Sequence, residues 1–207
     1  MNTLFNYNNP IMNGISKIAN CIFLCMIWLL CCIPVITAGA STCAMYVTVE
    51  KNIKNSRGYT SSTFFSEFRK NFRQATFVWI LFLLAELIFY NDYRILRSVS
   101  GSLLVGNTYP LFLFFMGTSV VYLCWVLAEI SYWSNGTKNI LKNALFLMIR
   151  HFPTTVFITL LLIFGVVVVY ILPVSVFLMP VVIMWLISAP IDKIFESYKK
   201  NNEKELL

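Results

Sequence analysis

Six cysteines, a single histidine and two carboxylates inside apolar runs are the side chains of this 207-residue chain whose types could carry chemistry. Zinc binding and disulfide exchange need thiolates that converge with hydrogen-bonding support. Cys21, Cys25, Cys31, Cys32, Cys43 and Cys124 contain no Cys-x-x-Cys pair, and five fall in or beside the first two apolar segments. There they read as small hydrophobes of an apolar interior. His151 has no carboxylate or cysteine nearby in sequence and follows Arg150 at a segment start, which suits an interface better than catalysis. Glu86 and Glu129 lie within apolar runs. A carboxylate there costs about 2.5–3.5 kcal/mol on insertion scales, so it faces a protein interior, a water path or a partner. Glu86, about one turn below a segment end, is the candidate intramembrane polar contact. Glu129 beside Tyr132 and Trp133 reads as interfacial snorkelling or a structural hydrogen bond. A Walker A loop, an HExxH motif and a nucleophile with a plausible base are all missing from the sequence. The expectation is a non-enzymatic chain with no catalytic residue, metal site or cofactor.

The elements around these residues are set by an unusually apolar composition. The chain is 58% hydrophobic and 12% charged, with a mean hydropathy of +0.74. A soluble domain of this size has too much surface for that balance. Several runs approach the roughly 20 apolar residues that cross about 30 Å of hydrocarbon. The first run lacks the basic flank and small-residue cleavage site of a signal peptide. The net charge of +7 is spread beside apolar runs, as the positive-inside rule requires, so nucleic acid is not the expected partner. The lipid bilayer is.

The stretch "IPVITAGAST", residues 33–42, decides how the N-terminal third is organised. As one helix, the 35 residues from Ile15 to Val49 would extend about 52 Å, too long for a bilayer core. Pro34 disfavours helix at Ile33 and removes a donor. Gly39 permits a tight or left-handed turn. Thr37, Ser41 or Thr42 can cap a new helix. Pro34, Thr37 and Gly39 are thus the candidate turn of an outer hairpin. Its second helix is weakly apolar, with Ala40, Ala44 and Thr48 spaced for close helix contact; lying in the interface is the alternative for it.

The expected fold class is all-α, a polytopic transmembrane bundle of about six helices, five strongly apolar and one weakly. Spans fall near 14–33, 38–55, 74–90, 109–132, 153–170 and 174–190, in a single membrane domain over 1–207. Segments 56–73 and 133–152 are basic, 191–207 is charged with both signs, and all three read as cytoplasmic, the first two forming amphipathic elbow helices. Both termini are then cytoplasmic, and of sixteen Lys and Arg residues only Arg94 and Arg97, in the loop 91–108, lie outside. In the first elbow Phe64, Phe65, Phe68 and Phe72 share one helical face. Residues 71–90 and 151–170 also align without gaps, matching Phe72, Phe77, Leu81 and Tyr90 with Phe152, Phe157, Leu161 and Tyr170. Shared elbow-and-span physics accounts for this nearly as well as a repeat.

Residues 15–76 resemble the YesL-like family of small bacterial membrane proteins. The resemblance rests on the tryptophan-bearing first span, the Pro-x-x-Thr-x-Gly turn of Pro34, Thr37 and Gly39, and the Ala44-x-Tyr46 pair. It also rests on Phe64, Phe68, Arg69, Asn71, Phe72 and Gln74 in the pattern Phe-x-x-x-Phe-basic-x-Asn-Phe-x-Gln. Arg57 departs from it, standing before Gly58 where an acidic residue is expected. The resemblance implies a domain of unknown function in the cell membrane of mainly Gram-positive bacteria, associated with carbohydrate uptake systems of the ABC type. The expected role is an accessory subunit contacting membrane subunits of such an importer, with Phe64, Phe68, Arg69 and Phe72 as the candidate partner contact. The alternatives are a self-contained small-solute transporter or channel, and a membrane sensor or assembly factor.

Overall fold

The computed structural model describes residues 10–55, 58–98, 109–133 and 135–205. Among these there are seven α-helices and no strand. They are α1 (Pro10–Cys32), α2 (Ala38–Thr48), α3 (Thr60–Ser98), α4 (Tyr109–Tyr132), α5 (Thr137–Arg150), α6 (Phe152–Ile171) and α7 (Met179–Glu205). A 3-10 turn, Val35–Thr37, joins α1 to α2, and a π-helical segment, Val49–Lys54, extends α2. Three helices are long and apolar enough to cross a membrane by length and composition: Thr60–Ser98, Pro110–Tyr132 and Phe152–Ile171. The count of six therefore exceeds what these criteria select among the described residues.

Helix α2 is the centre of the bundle. Nearly every residue from Gly39 to Thr48 is buried. Ala40, Ala44 and Thr48, one per turn, are fully covered, so the small-residue stripe is a packing face and not an interfacial one. One core cluster joins α2 through Ala40, Cys43 and Tyr46 to Ala75 and Val78 of α3, Trp125 and Val126 of α4, and Ile187 and Ile191 of α7. A second joins Leu24 and Cys25 of α1 to Met45, Val49, Ile53, Phe64 and Val181.

The outside of the bundle is apolar. Leu84, Leu87 and Ile88 of α3, Leu111 and Phe114 of α4, and Leu160, Phe164 and Val166 of α6 are each about half exposed or more. An aqueous surface of that kind drives association, whereas hydrocarbon leaves such side chains in a matched solvent and demands only that backbone polar groups be satisfied within the helices.

Several elements differ from the sequence expectation. The first elbow is not a separate helix: α3 runs unbroken for 39 residues. Residues 60–98 contain neither proline nor glycine, so nothing interrupts the backbone ladder where the amphipathic pattern gives way to an apolar one. The second elbow, α5, is separate. It ends at Arg150, His151 leaves helical geometry at φ −104 and ψ 49, and Pro153 lies in the first turn of α6. The aligned stretches 71–90 and 151–170 thus sit differently, one inside a continuous helix and one across a break. The last helix begins at Met179, after a 3-10 turn at Pro173–Phe177, and continues through Pro190 to Glu205. The expected loop over 91–108 starts later, since α3 holds residues 91–98; residues 99–108, like Arg57, lie outside the described residues.

Candidate functional site

The α1–α2 turn is held by side chains. Pro34 stands at the end of α1, and the Thr37 hydroxyl donates to the carbonyl oxygens of Cys31 (2.6 Å) and Pro34 (2.8 Å). The Cys31 carbonyl is one of the acceptors that a helix C-terminus leaves open. Thr37 occupies the N-cap position of α2 but makes no side-chain cap there; its hydroxyl closes the preceding helix instead. Gly39 is helical, not left-handed; the described glycine with positive φ is Gly58, at +77°. What Gly39 provides is proximity. A Cβ at this position would lie 2.5 Å from the Trp79 Cβ and 3.0 Å from the Ala75 carbonyl oxygen. Trp79 Nε1 in turn donates to the Val35 carbonyl at 2.7 Å.

These contacts set the register of the hairpin on α3. The turn meets α3 at Trp79, and Lys51, beyond the other end of α2, pairs with Glu67 at 2.7 Å. The hairpin therefore lies along Glu67–Trp79 and stops well before Ser98. Its tip exposes Ile33, Val35 and Ile36, all more than half accessible.

A polar clasp ties the hairpin to α7. Asp192 accepts from Tyr46 Oη at 2.6 Å and pairs with Lys54 Nζ at 2.8 Å. Beside it, Glu67 takes Lys51, with Lys70 at 3.7 Å and Asn71 at 3.5 Å. The sequence reading did not single out Asp192 or Lys54 as partners. The one available signal was a lone acid directly after the apolar run of α7 and two lysines after that of α2.

Of the candidate partner-contact residues, Phe64 is fully buried in the second core cluster and Phe68 packs partly against it. The rings of Phe64, Phe68 and Phe72 form a ladder with centroids 6.1 and 5.4 Å apart. Arg69 and Phe72 are the exposed members, and Phe65 beside them is exposed as well. Glu86 is half-buried and accepts a hydrogen bond from Ser119 of α4, next to the stacked Phe89 and Phe115. The contact joins two helices across the bundle.

Glu129 is covered by the protein and does not snorkel to its surface. It is 2% exposed, and its Oε2 has no hydrogen-bond partner. The Asn143 side chain is a polar neighbour of the carboxylate. Both line a cavity of about 440 Å³ walled by Trp133, Phe146, Phe195 and Tyr198. A neighbouring cavity, sharing Tyr198, is lined by Arg150, His151 and Lys193. The Arg150 guanidinium lies 5.6 Å from the ring centres of both Phe146 and Tyr198, and His151 Nε2 is 3.3 Å from Tyr198 Oη. Partial burial, then the Arg150 charge, push the His151 imidazole below its ordinary value of 6.5. The six cysteines are unpaired, Cys25 and Cys43 buried and the others half-buried. The described residues contain no group of three or more His, Cys, Asp or Glu side chains placed to hold a metal.

Fold and site together define an all-helical protein with three helices able to cross a membrane. Residues 19–93 match the model of a family described as "Protein of unknown function, DUF624". That family is the one known as YesL-like, and the match agrees with the resemblance in the motifs of this stretch. It takes in α2, most of α1 and α3, and the turn between the first two. No curated protein and no solved structure matches the chain.

Proposed function

We propose that the chain is a non-catalytic, multi-pass protein of the bacterial cell membrane that acts as an accessory subunit of a carbohydrate ABC import system. The observation that carries a binding role is the close packing of the interior. Helix α2 is enclosed by α1, α3, α4 and α7, with Gly39 set against the α3 backbone and Trp125, Val126 and Ile187 filling the centre. A groove against it, about 380 Å³, is lined almost wholly by apolar residues such as Met45, Leu127 and Ile183. Flux of a hydroxylated solute needs converging polar groups along its route; this interior is built as a scaffold. The link to carbohydrate uptake is supported by the family resemblance.

In the proposed topology α3, α4, α6 and the apolar half of α7 cross the bilayer. Helices α1 and α2 form a hairpin that enters and leaves from the cytoplasmic side. The register of the hairpin on Glu67–Trp79 and its apolar, exposed tip support this arrangement. Lys51, Lys54, Lys70 and Arg150 then share the cytoplasmic side with both termini, as the positive-inside rule favours.

The test is purification from native membranes in mild detergent after cross-linking. Recovery of an importer's membrane subunits with the protein is the expected result. Isolation of the protein alone, with an importer that is intact and fully active without it, overturns the proposal. Solute flux by the purified protein alone in liposomes would establish the transporter reading in its place.

A further inference from the structure

We propose that the two cavities sharing Tyr198 form one binding site for the headgroup of an aminophospholipid, with the ammonium at Glu129 and the phosphate at Arg150, His151 and Lys193. The argument starts from Glu129. A buried carboxylate oxygen without a partner is costly, and such groups in folded proteins are met by a donor or a counter-charge. Asn143 lines the same cavity, and Oε2 is without a partner. The surrounding walls are Trp133, Phe146, Phe195 and Tyr198, whose ring faces attract cations. Arg150 already lies over two of these rings, yet it makes no ion pair with Glu129. An ammonium group fits this chamber by both charge and hydrogen bonding.

The adjoining chamber has the opposite chemistry. Arg150, His151 and Lys193 line it, and Ser197 adds a hydroxyl. These groups suit a phosphate oxygen. Tyr198 belongs to both walls, so the negative and positive halves stand side by side. A zwitterion whose ammonium and phosphate are separated by a two-carbon bridge matches that order.

The location selects a lipid over a soluble zwitterion. On α5 and at the start of α6, Leu145, Phe146, Ile149 and Phe152 are each more than half exposed. This apolar stripe beside Arg150 is the signature of a helix lying in the headgroup layer. The site opens where headgroups are.

The inference rests on the membrane placement proposed above. The full-length protein, in nanodiscs of equal parts phosphatidylethanolamine, phosphatidylcholine and phosphatidylglycerol, is transferred to detergent, and the retained lipid is identified by native mass spectrometry. Phosphatidylethanolamine is expected to be retained in preference to both others. Phosphatidylglycerol lacks the ammonium, and phosphatidylcholine lacks its N–H donors. Glu129→Gln is expected to reduce that preference about thirtyfold or more, as loss of a buried charged partner does, while Arg150→Gln weakens retention of all three. Excess soluble phosphoethanolamine is expected to leave the bound lipid in place; displacement by it overturns the lipid assignment. Glu129→Gln is nearly isosteric, and Asn143→Leu, which removes a second polar group from the lining, serves as a second variant with the same direction of change. Equal retention of the three lipids by the unmodified protein, or an unchanged preference in both variants, overturns the inference and leaves the membrane placement standing. Retention of no phospholipid at all likewise overturns the inference alone, whereas failure of the protein to enter nanodiscs overturns the membrane placement.

Discussion

Replacing Gly39 by alanine gives the sharpest test of how the hairpin is seated. The added Cβ would lie 2.5 Å from the Trp79 Cβ and 3.0 Å from the Ala75 carbonyl oxygen. Both atoms are fixed by the α3 backbone, so no rotamer change relieves the contact. Helices α2 and α3 must separate, stretching the 2.7 Å bond from Trp79 to Val35. Overpacking of this kind costs about 1–3 kcal/mol, and alanine returns about 0.5–1 kcal/mol of helix propensity. The net loss is therefore about 0–2.5 kcal/mol. Gly117, in α4, is the internal control, since a Cβ there would meet nothing within 4 Å. Gly117→Ala should be neutral or slightly stabilising. Reversible unfolding in bicelles, followed by loss of helicity, measures both. Equal stability of the two variants would refute the seating of Gly39 against α3.

Asp192→Ala strands the Tyr46 hydroxyl and the Lys54 ammonium, whose pair with Asp192 is mostly buried. Breaking such a pair costs about 3–5 kcal/mol, and the same unfolding measurement should show a loss near the lower bound. Ser119→Ala removes the hydrogen bond to Glu86 and should cost about 0.6 kcal/mol, the average for interhelical bonds in membranes. Ile36→Asp tests the tip of the hairpin. In hydrocarbon the substitution costs about 2.5–3.5 kcal/mol and lowers the yield of inserted protein, whereas a tip in outer water would tolerate it. His151 is the single histidine of the chain, so its imidazole proton signals report it alone. Its midpoint should fall below 6.5, and Arg150→Gln should raise it; a midpoint above 6.5 in the unmodified protein contradicts the assigned environment.

Local signals in the sequence located the elements well where a breaker was present. Pro34 marks the end of α1, Pro153 lies in the first turn of α6, and residues 109–132 form α4 as their apolar run indicates. The absence of any breaker between 60 and 98 was equally informative, but the change from amphipathic to apolar pattern suggested an elbow that the backbone does not make. Gly39 carried a signal of the wrong kind: glycine marks either a turn or a close approach, and only the neighbouring helix distinguishes them. The clasp was hidden for another reason. Tyr46 and Asp192 are 146 residues apart, and no periodicity links positions so distant. Glu129 looked interfacial beside Tyr132 and Trp133, because the covering residues Phe195 and Tyr198 come from α7.

That distance also governs how the protein is made. Lys54 emerges from the ribosome 138 residues before Asp192. At about 5–20 residues per second, the first hairpin waits roughly 7–28 s for its acidic partner. During that interval the hairpin is seated on α3 through Trp79 and Glu67, while the lysine and the tyrosine still lack Asp192. Chains interrupted before α7 should accordingly keep the hairpin on α3 but lack the clasp, and the last helix completes a seat that the first helices have already begun.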